Sequence, residues 1–204
     1  MNRNRLKYWI SLFVVAAFCA SVQAQTKVGI VDMKKVFDGY WKTQLADANL
    51  KDMANEAQKR LKDMVEDGRK LQEEYKKLLE SSNDQAVSVE EREKRKKSAE
   101  GKLIEMRELE NQVQQYDRSA RARIMDKESL DREKIVKEIV DAVNAKAKAG
   151  GYNLVVDIAA ESVNRTPIVL YNDGSNDLTQ EVLSHINVNA PADLPKAKDD
   201  KKGK

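Results

Sequence analysis

Residues 50–78, LKDMANEAQKRLKDMVEDGRKLQEEYKKL, decide how this chain is built. Apolar side chains recur at Leu50, Met53, Ala57, Leu61, Met64, Leu71, Tyr75 and Leu78, in steps of 3, 4, 4, 3, 7, 4 and 3. That is close to a heptad seam with one irregularity, and every other face is charged or polar. A stripe so narrow suits a solvated helix leaning on one partner, not a helix buried in a large core.

The partner follows in the chain. Residues 81–88, SSNDQAVS, are polar and without period, and they lead into Ser88-x-x-Glu91, the pattern of a capping box. A second helix then carries Leu103, Met106, Leu109, Val113, Tyr116, Ala120 and Ile124, and later Ile135, Ile139 and Val143. It ends at Gly150-Gly151, with Lys146 and Lys148 near the negative end of its dipole. Residues 40–150 hold 25 basic and 24 acidic residues, no proline, and only Gly68, Gly101 and Gly150 as interruptions. A turn near 85 folds the two helices into an antiparallel coiled-coil arm. At about 1.5 Å per residue, a forty-residue helix is about 60 Å long. Symmetric pairing about that turn sets Leu71 near Ala99, Leu61 near Leu109 and Met53 near Tyr116. Between Gln114 and Lys134 the stripe is sparse, so the arm is expected to be flexible.

Outside the arm the chemistry changes. Residues 27–31, KVGIV, are expected to form a strand, with Gly29 permitting a close approach. Asp32 caps a short helix over MKKVFDG that ends at Gly39. Residues 153–158, NLVVDI, read as a second strand and 167–171, PIVLY, as a third. Asp177 begins DLTQEVLSHIN, a helix whose Leu178, Val182, Leu183 and Ile186 share a face. The organisation expected is therefore a β head from 25–39 and 151–190, an arm from 40–150 with its tip near 81–88, and a charged tail, 191–204, expected to be disordered. The class is α+β, mostly helical.

Three short strands and one small helix bury too little surface to be stable alone, and they leave sheet edges open. Pairing with copies of the same chain closes those edges, so the head is expected to be completed by self-association. Val28, Ile30, Leu154, Val156, Ile168 and Leu170 are the residues expected to form the head core and its association surface.

Composition removes several functions. The chain has 204 residues, 35% of them charged and 5% aromatic, far from the composition of a compact enzyme domain. Lys plus Arg number 37 against 34 for Asp plus Glu, but Arg3, Arg5 and Lys7 account for the surplus of 3. Beyond residue 24 the chain is neutral, which argues against bulk nucleic-acid binding. Cys19 and His185 are the sole cysteine and histidine. A disulfide framework, a Cys/His zinc site and a Ser-His or Cys-His nucleophile pair are all unexpected, as is any cofactor. The first 24 residues, basic MNRNRLK followed by apolar YWISLFVVAAFCA and then SVQA, have the layout of a signal peptide cleaved after Ala24.

These segments, in this order, resemble the Skp/OmpH family of bacterial periplasmic chaperones. The resemblance rests on KVGIVDMKKVF at 27–37, the long charged hairpin, GYNLVVDIAAESV at 151–163, PIVLY at 167–171 and DLTQEVLSHIN at 177–187, and it covers about residues 26–188. The family implies a jellyfish-shaped homotrimer with a central barrel from three subunits and three helical arms around a cavity. It implies a periplasmic holdase, independent of ATP and not an enzyme, that binds unfolded outer-membrane proteins. The family's usual members are basic, whereas this chain is neutral after residue 24. A structural or adaptor coiled coil of the cell envelope is the alternative reading.

Among particular residues, Met53, Met64 and Met106 are candidate client contacts, with Met33 and Met125 as further methionines, because thioethers suit promiscuous surfaces. Arg92, Lys94, Arg95, Lys96 and Lys97 cluster near the arm tip and are candidates for anionic lipid or acidic partners. Asp157 and Glu161 carry no pocket-building sequence around them, and His185 reads as a surface helix residue.

Overall fold

The computed structural model describes residues 26–192 and 194. The leader at 1–24, with its cleavage after Ala24, lies outside the described residues, as does most of the tail from 191. Two strands and four helices run in the order β1 (Val28–Val31), α1 (Met33–Gly39), α2 (Trp41–Ser82), α3 (Val89–Ala149), β2 (Leu154–Asp157) and α4 (Thr179–Ile186). The protein is α+β and mostly helical.

Local chemistry explains the boundaries. The Lys35 backbone N–H donates to Asp32 Oδ1 at 2.8 Å, capping α1. The Glu91 N–H donates to Ser88 Oγ at 3.2 Å, so α3 takes one half of the capping box, while the Glu91 carboxylate turns to Arg95. At the far end of α3, Gly151 adopts φ +67°, a left-handed conformation that favours glycine. In front of α4, Asp177 Oδ1 accepts from the Thr179 N–H at 2.8 Å, but the residue flanking the helix is Leu178. Asp177 thus makes a turn one residue earlier than a helix cap would.

The sheet has two strands, not three. β1 and β2 are parallel, Val28 opposite Leu154 and Ile30 opposite Val156, and the whole arm is the crossover between them. On the other side of β1, Ile30 exchanges backbone hydrogen bonds with Asn176 and Leu178. The expected strand at 167–171 is absent; only an isolated bridge joins Glu161 to Pro167. A strand exists through its neighbours' backbone groups, and here the Ile168 N–H donates to the Ala160 carbonyl at 2.9 Å without a ladder extending from it.

Within the chain the core lies on one face of the sheet. Val28 and Ile30 are among the residues expected in the head core and its association surface. In the structure Gly29 and Val31 face in, because the Tyr152 ring packs on Gly29, where an added Cβ would lie 3.1 Å from the ring. The buried cluster is Val31, Val36, Tyr40, Ile135, Ile139, Ala142, Val143, Leu178 and Val182. Val28, Leu154, Ile168 and Leu170 are exposed, and Ile30 and Val156 only half-buried. In the single chain these six lie outside the buried cluster. The last turns of α3, from Ile135 on, supply much of the interior instead.

The arm register also differs from the symmetric one. Gly68, not Leu61, faces Leu109, with an added Cβ 3.5 Å from Leu109 Cδ2. Lys102 pairs with Glu74 at 3.0 Å, and Arg95 Nη1 donates to the Ser81 carbonyl at 3.1 Å. The helices are thus offset by about one heptad, and the start of α3 projects beyond the end of α2. A heptad seam superposes on itself after one repeat, so apolar residues meet in either register and the turn chooses. That turn is built by Asp84, whose Oδ1 accepts from the Ala86 N–H at 2.9 Å.

Candidate functional site

The arm's seam is thin. Before Ile135, its buried side chains are Thr43, Met64, Ser82, Ala99 and Ala120. Small side chains let the helices approach but bury little area. Met64 is buried, Met53 and Met106 half-buried, and Met125 exposed. Met33 packs against the head core. The structure brings Met64 and Met106 together and leaves Met53 apart: both line an open groove of about 540 Å³ beside Gly68.

The tip cations divide. Arg95 is half-buried, pairs with Glu91 at 3.3 Å and donates to the Ser81 carbonyl at the end of α2, where a cation is favoured. Lys96 pairs with Glu93 at 3.0 Å on its own helix. Arg92 is half-buried, with Nε lacking a protein partner. Lys94 and Lys97 are exposed and make no ion pair among the described residues, so they are the two cations most available to an outside anion.

At the root, a polar cluster ties the arm to the head. Tyr40 Oη donates to Glu138 Oε2 at 2.6 Å, and Lys42 Nζ lies 2.7 Å from Glu138 Oε1. Burial works against the Glu138 charge, yet the hydrogen bonds from Lys42 and Tyr40 outweigh it and hold the carboxyl below its ordinary value. Burial, then the bond to Glu138, pushes the Tyr40 hydroxyl up, and Glu138 raises Lys42. Nearby, the Asn187 side chain accepts from the Trp41 N–H at 3.1 Å and donates to the Gly39 carbonyl at 2.9 Å, strapping α4 to the start of the arm. Asp157 accepts from the Met33 and Ala159 amides at 3.1 and 2.9 Å, a structural role. Apart from the local Asp157–Ala159 bond, none of these polar ties was legible beforehand, because each joins residues distant in the chain.

On the head, the outward sheet face presents Val28, Ile30, Leu154 and Val156 side by side, with 40% of Val28 and 53% of Leu154 exposed. β2 is an edge strand. Ile168, Leu170 and Tyr171 add apolar surface at 60%, 83% and 84% exposure. The lone histidine, His185, is exposed. Among the described residues, no cluster of His, Cys, Asp or Glu could hold a metal ion, and no helix is long and apolar enough to cross a membrane.

A small α+β head with one apolar face uncovered carries a long charged two-helix arm. The chain belongs to the OmpH-like outer membrane protein family, whose pattern it matches over residues 27–186. It is similar to the chaperone protein Skp of Yersinia enterocolitica, 30% identical over 187 residues, 89% of this chain and 99% of that protein. It is also similar to the chaperone protein Skp of Pectobacterium atrosepticum, 26% identical over 184 residues with the same coverage, 89% and 99%.

Proposed function

We propose that this chain is a periplasmic chaperone that holds unfolded outer-membrane proteins without ATP and without catalysing a reaction. The observation that carries this reading is the pairing of an uncovered apolar head face with a long, thin-seamed arm. The first asks for copies of the same chain; the second then surrounds a space. Family membership and the chaperone relatives support the same reading.

Self-association through Val28, Ile30, Leu154 and Val156, with the unpaired edge of β2 and the exposed Ile168 and Leu170, gives a homotrimer whose arms line a cavity. An unfolded β-barrel exposes alternating apolar side chains and open backbone, and aggregates. A cavity binds it by many weak contacts, and multivalency supplies avidity without a specific pocket. Met53, Met64 and Met106 are proposed client contacts. The tip, through Lys94 and Lys97 first, is proposed to touch anionic lipid or acidic client segments. Neutral net charge after residue 24 supports no role for nucleic acid.

Sedimentation of the chain from residue 25 onward is expected to give a trimer, and a urea-unfolded outer-membrane β-barrel diluted into it is expected to scatter less light. A monomer, or scattering unchanged by the protein, overturns the reading. N-terminal sequencing from envelope extracts is expected to begin at Gln25.

A further inference from the structure

The apolar steps along α2 skip from Met64 to Leu71, and the position between that falls on the seam is Gly68. Its missing side chain has a structural consequence. Beside it opens the groove of about 540 Å³, within the range of sites that hold small ligands, roughly 300–1,000 Å³. Met64 and Val65 form one wall and Met106, Leu109 and Val113 the other. Val65 is 62% exposed although apolar. A Cβ at Gly68 would meet only Leu109 Cδ2, at 3.5 Å, an ordinary van der Waals contact, so a side chain can begin there and extend toward the groove.

We propose that this groove is a discrete site for apolar side chains of an extended, uncharged stretch of unfolded polypeptide. The proposal rests on the holding function above and gives it a location. Charge selects the occupant. Arg69 lies on the groove, but its guanidinium is committed to Glu66 at 2.9 Å and Glu73 at 3.1 Å on its own helix. The remaining charge is the Glu110 carboxylate, which disfavours phosphate and lipid headgroups. Gln72 and Gln114 add neutral amides, able to donate to and accept from a peptide backbone. Length fits as well. Met64 to Gln72 spans about 12 Å of helix at 1.5 Å per residue. That equals about four residues of strand at roughly 3.3 Å each, of which two point to one side. The site therefore takes successive same-face side chains, the i and i+2 positions of a membrane β-strand.

The test uses the trimer and a fluorescent peptide alternating leucine with threonine, with serine replacing leucine in a control. The leucine peptide is expected to bind and the control to bind far more weakly. Gly68→Leu is expected to weaken the leucine peptide about tenfold, about 1.4 kcal/mol, while melting no lower than the parent. Val65→Ser, at an exposed position, is expected to weaken it several-fold with the fold untouched. Unchanged affinity in a folded Gly68→Leu, or in Val65→Ser should the first variant not fold, overturns the groove. A change in sedimentation in place of peptide affinity also overturns it, assigning the groove to a second copy. Light scattering separates the two proposals: a parent that suppresses aggregation while both variants bind peptide unchanged removes the groove alone. A parent that fails to suppress it removes the holding function and the groove with it.

Discussion

The head and the arm of this molecule solve the same problem with different means. In the head, Val36, Ile139 and Val182 are fully buried, and Asn187, Asp157 and Thr179 bond to backbone amides or carbonyls from distant parts of the chain. In the arm, the buried positions before Ile135 are chiefly small side chains, and the ion pairs are mostly between residues three or four apart on one helix. The arm is therefore held by local helix chemistry plus a narrow seam, the head by long-range packing. Exposed ion pairs contribute roughly 0–1 kcal/mol each, so the many along the arm keep it soluble and helical more than they bind its helices together.

That contrast is open to attack at five points. The largest effect belongs to the head interior: Ile139→Ala is expected to cost about 2–5 kcal/mol in denaturant unfolding, by lost burial and the cavity left behind. A cost under about 1 kcal/mol would mean the head is no better packed than the arm. Asn187→Ala removes two bonds to the backbone at the arm root, at 3.1 and 2.9 Å, and is expected to cost about 1–3 kcal/mol. Hydrogen exchange at Trp41 should rise in that variant before exchange in β1 does. Ser88→Ala removes the cap of α3 and is expected to cost about 0.5–2 kcal/mol, read as fraying in the first turn at the tip with the head unaffected.

A smaller effect is expected on pH. Glu138 is held below its ordinary value of 4.5, so the folded chain binds fewer protons there than the unfolded chain. Its contribution is complete above 4.5 and is lost as pH falls through the lowered folded value. With 42% of the Glu138 side chain exposed, solvent screens the pair and keeps the effect modest. Glu138→Gln should flatten the acid limb of a melting-temperature profile slightly; an unchanged acid limb would remove the root cluster from the account. Deleting residues 191–204, which carry little apolar surface, is expected to leave holding activity intact in the scattering assay.

Elements defined by nearby residues were legible in the linear pattern. The two arm helices, the polar turn between them, the Asp32 and Ser88 caps and the glycine stop after α3 each depend on side chains within a few positions of one another. Three features were not. Which way Val28 and Ile30 point turns on Tyr152, more than a hundred positions away, packing against Gly29. The fate of 167–171 depends on which backbone groups come to lie beside it, and only an isolated bridge at Glu161–Pro167 forms. The groove beside Gly68 needed the helix register, and a seven-residue repeat is blind to a shift of seven.

The sequence by itself thus determined the class of the molecule, the length of its limbs and where they turn, because hydrophobic period, caps and charge act over one or two turns of backbone. Tertiary structure alone decided the facing of the sheet, the offset of the arm helices and which cations and methionines share a surface. Those are properties of pairs of segments, and their energies exist only once the segments have met.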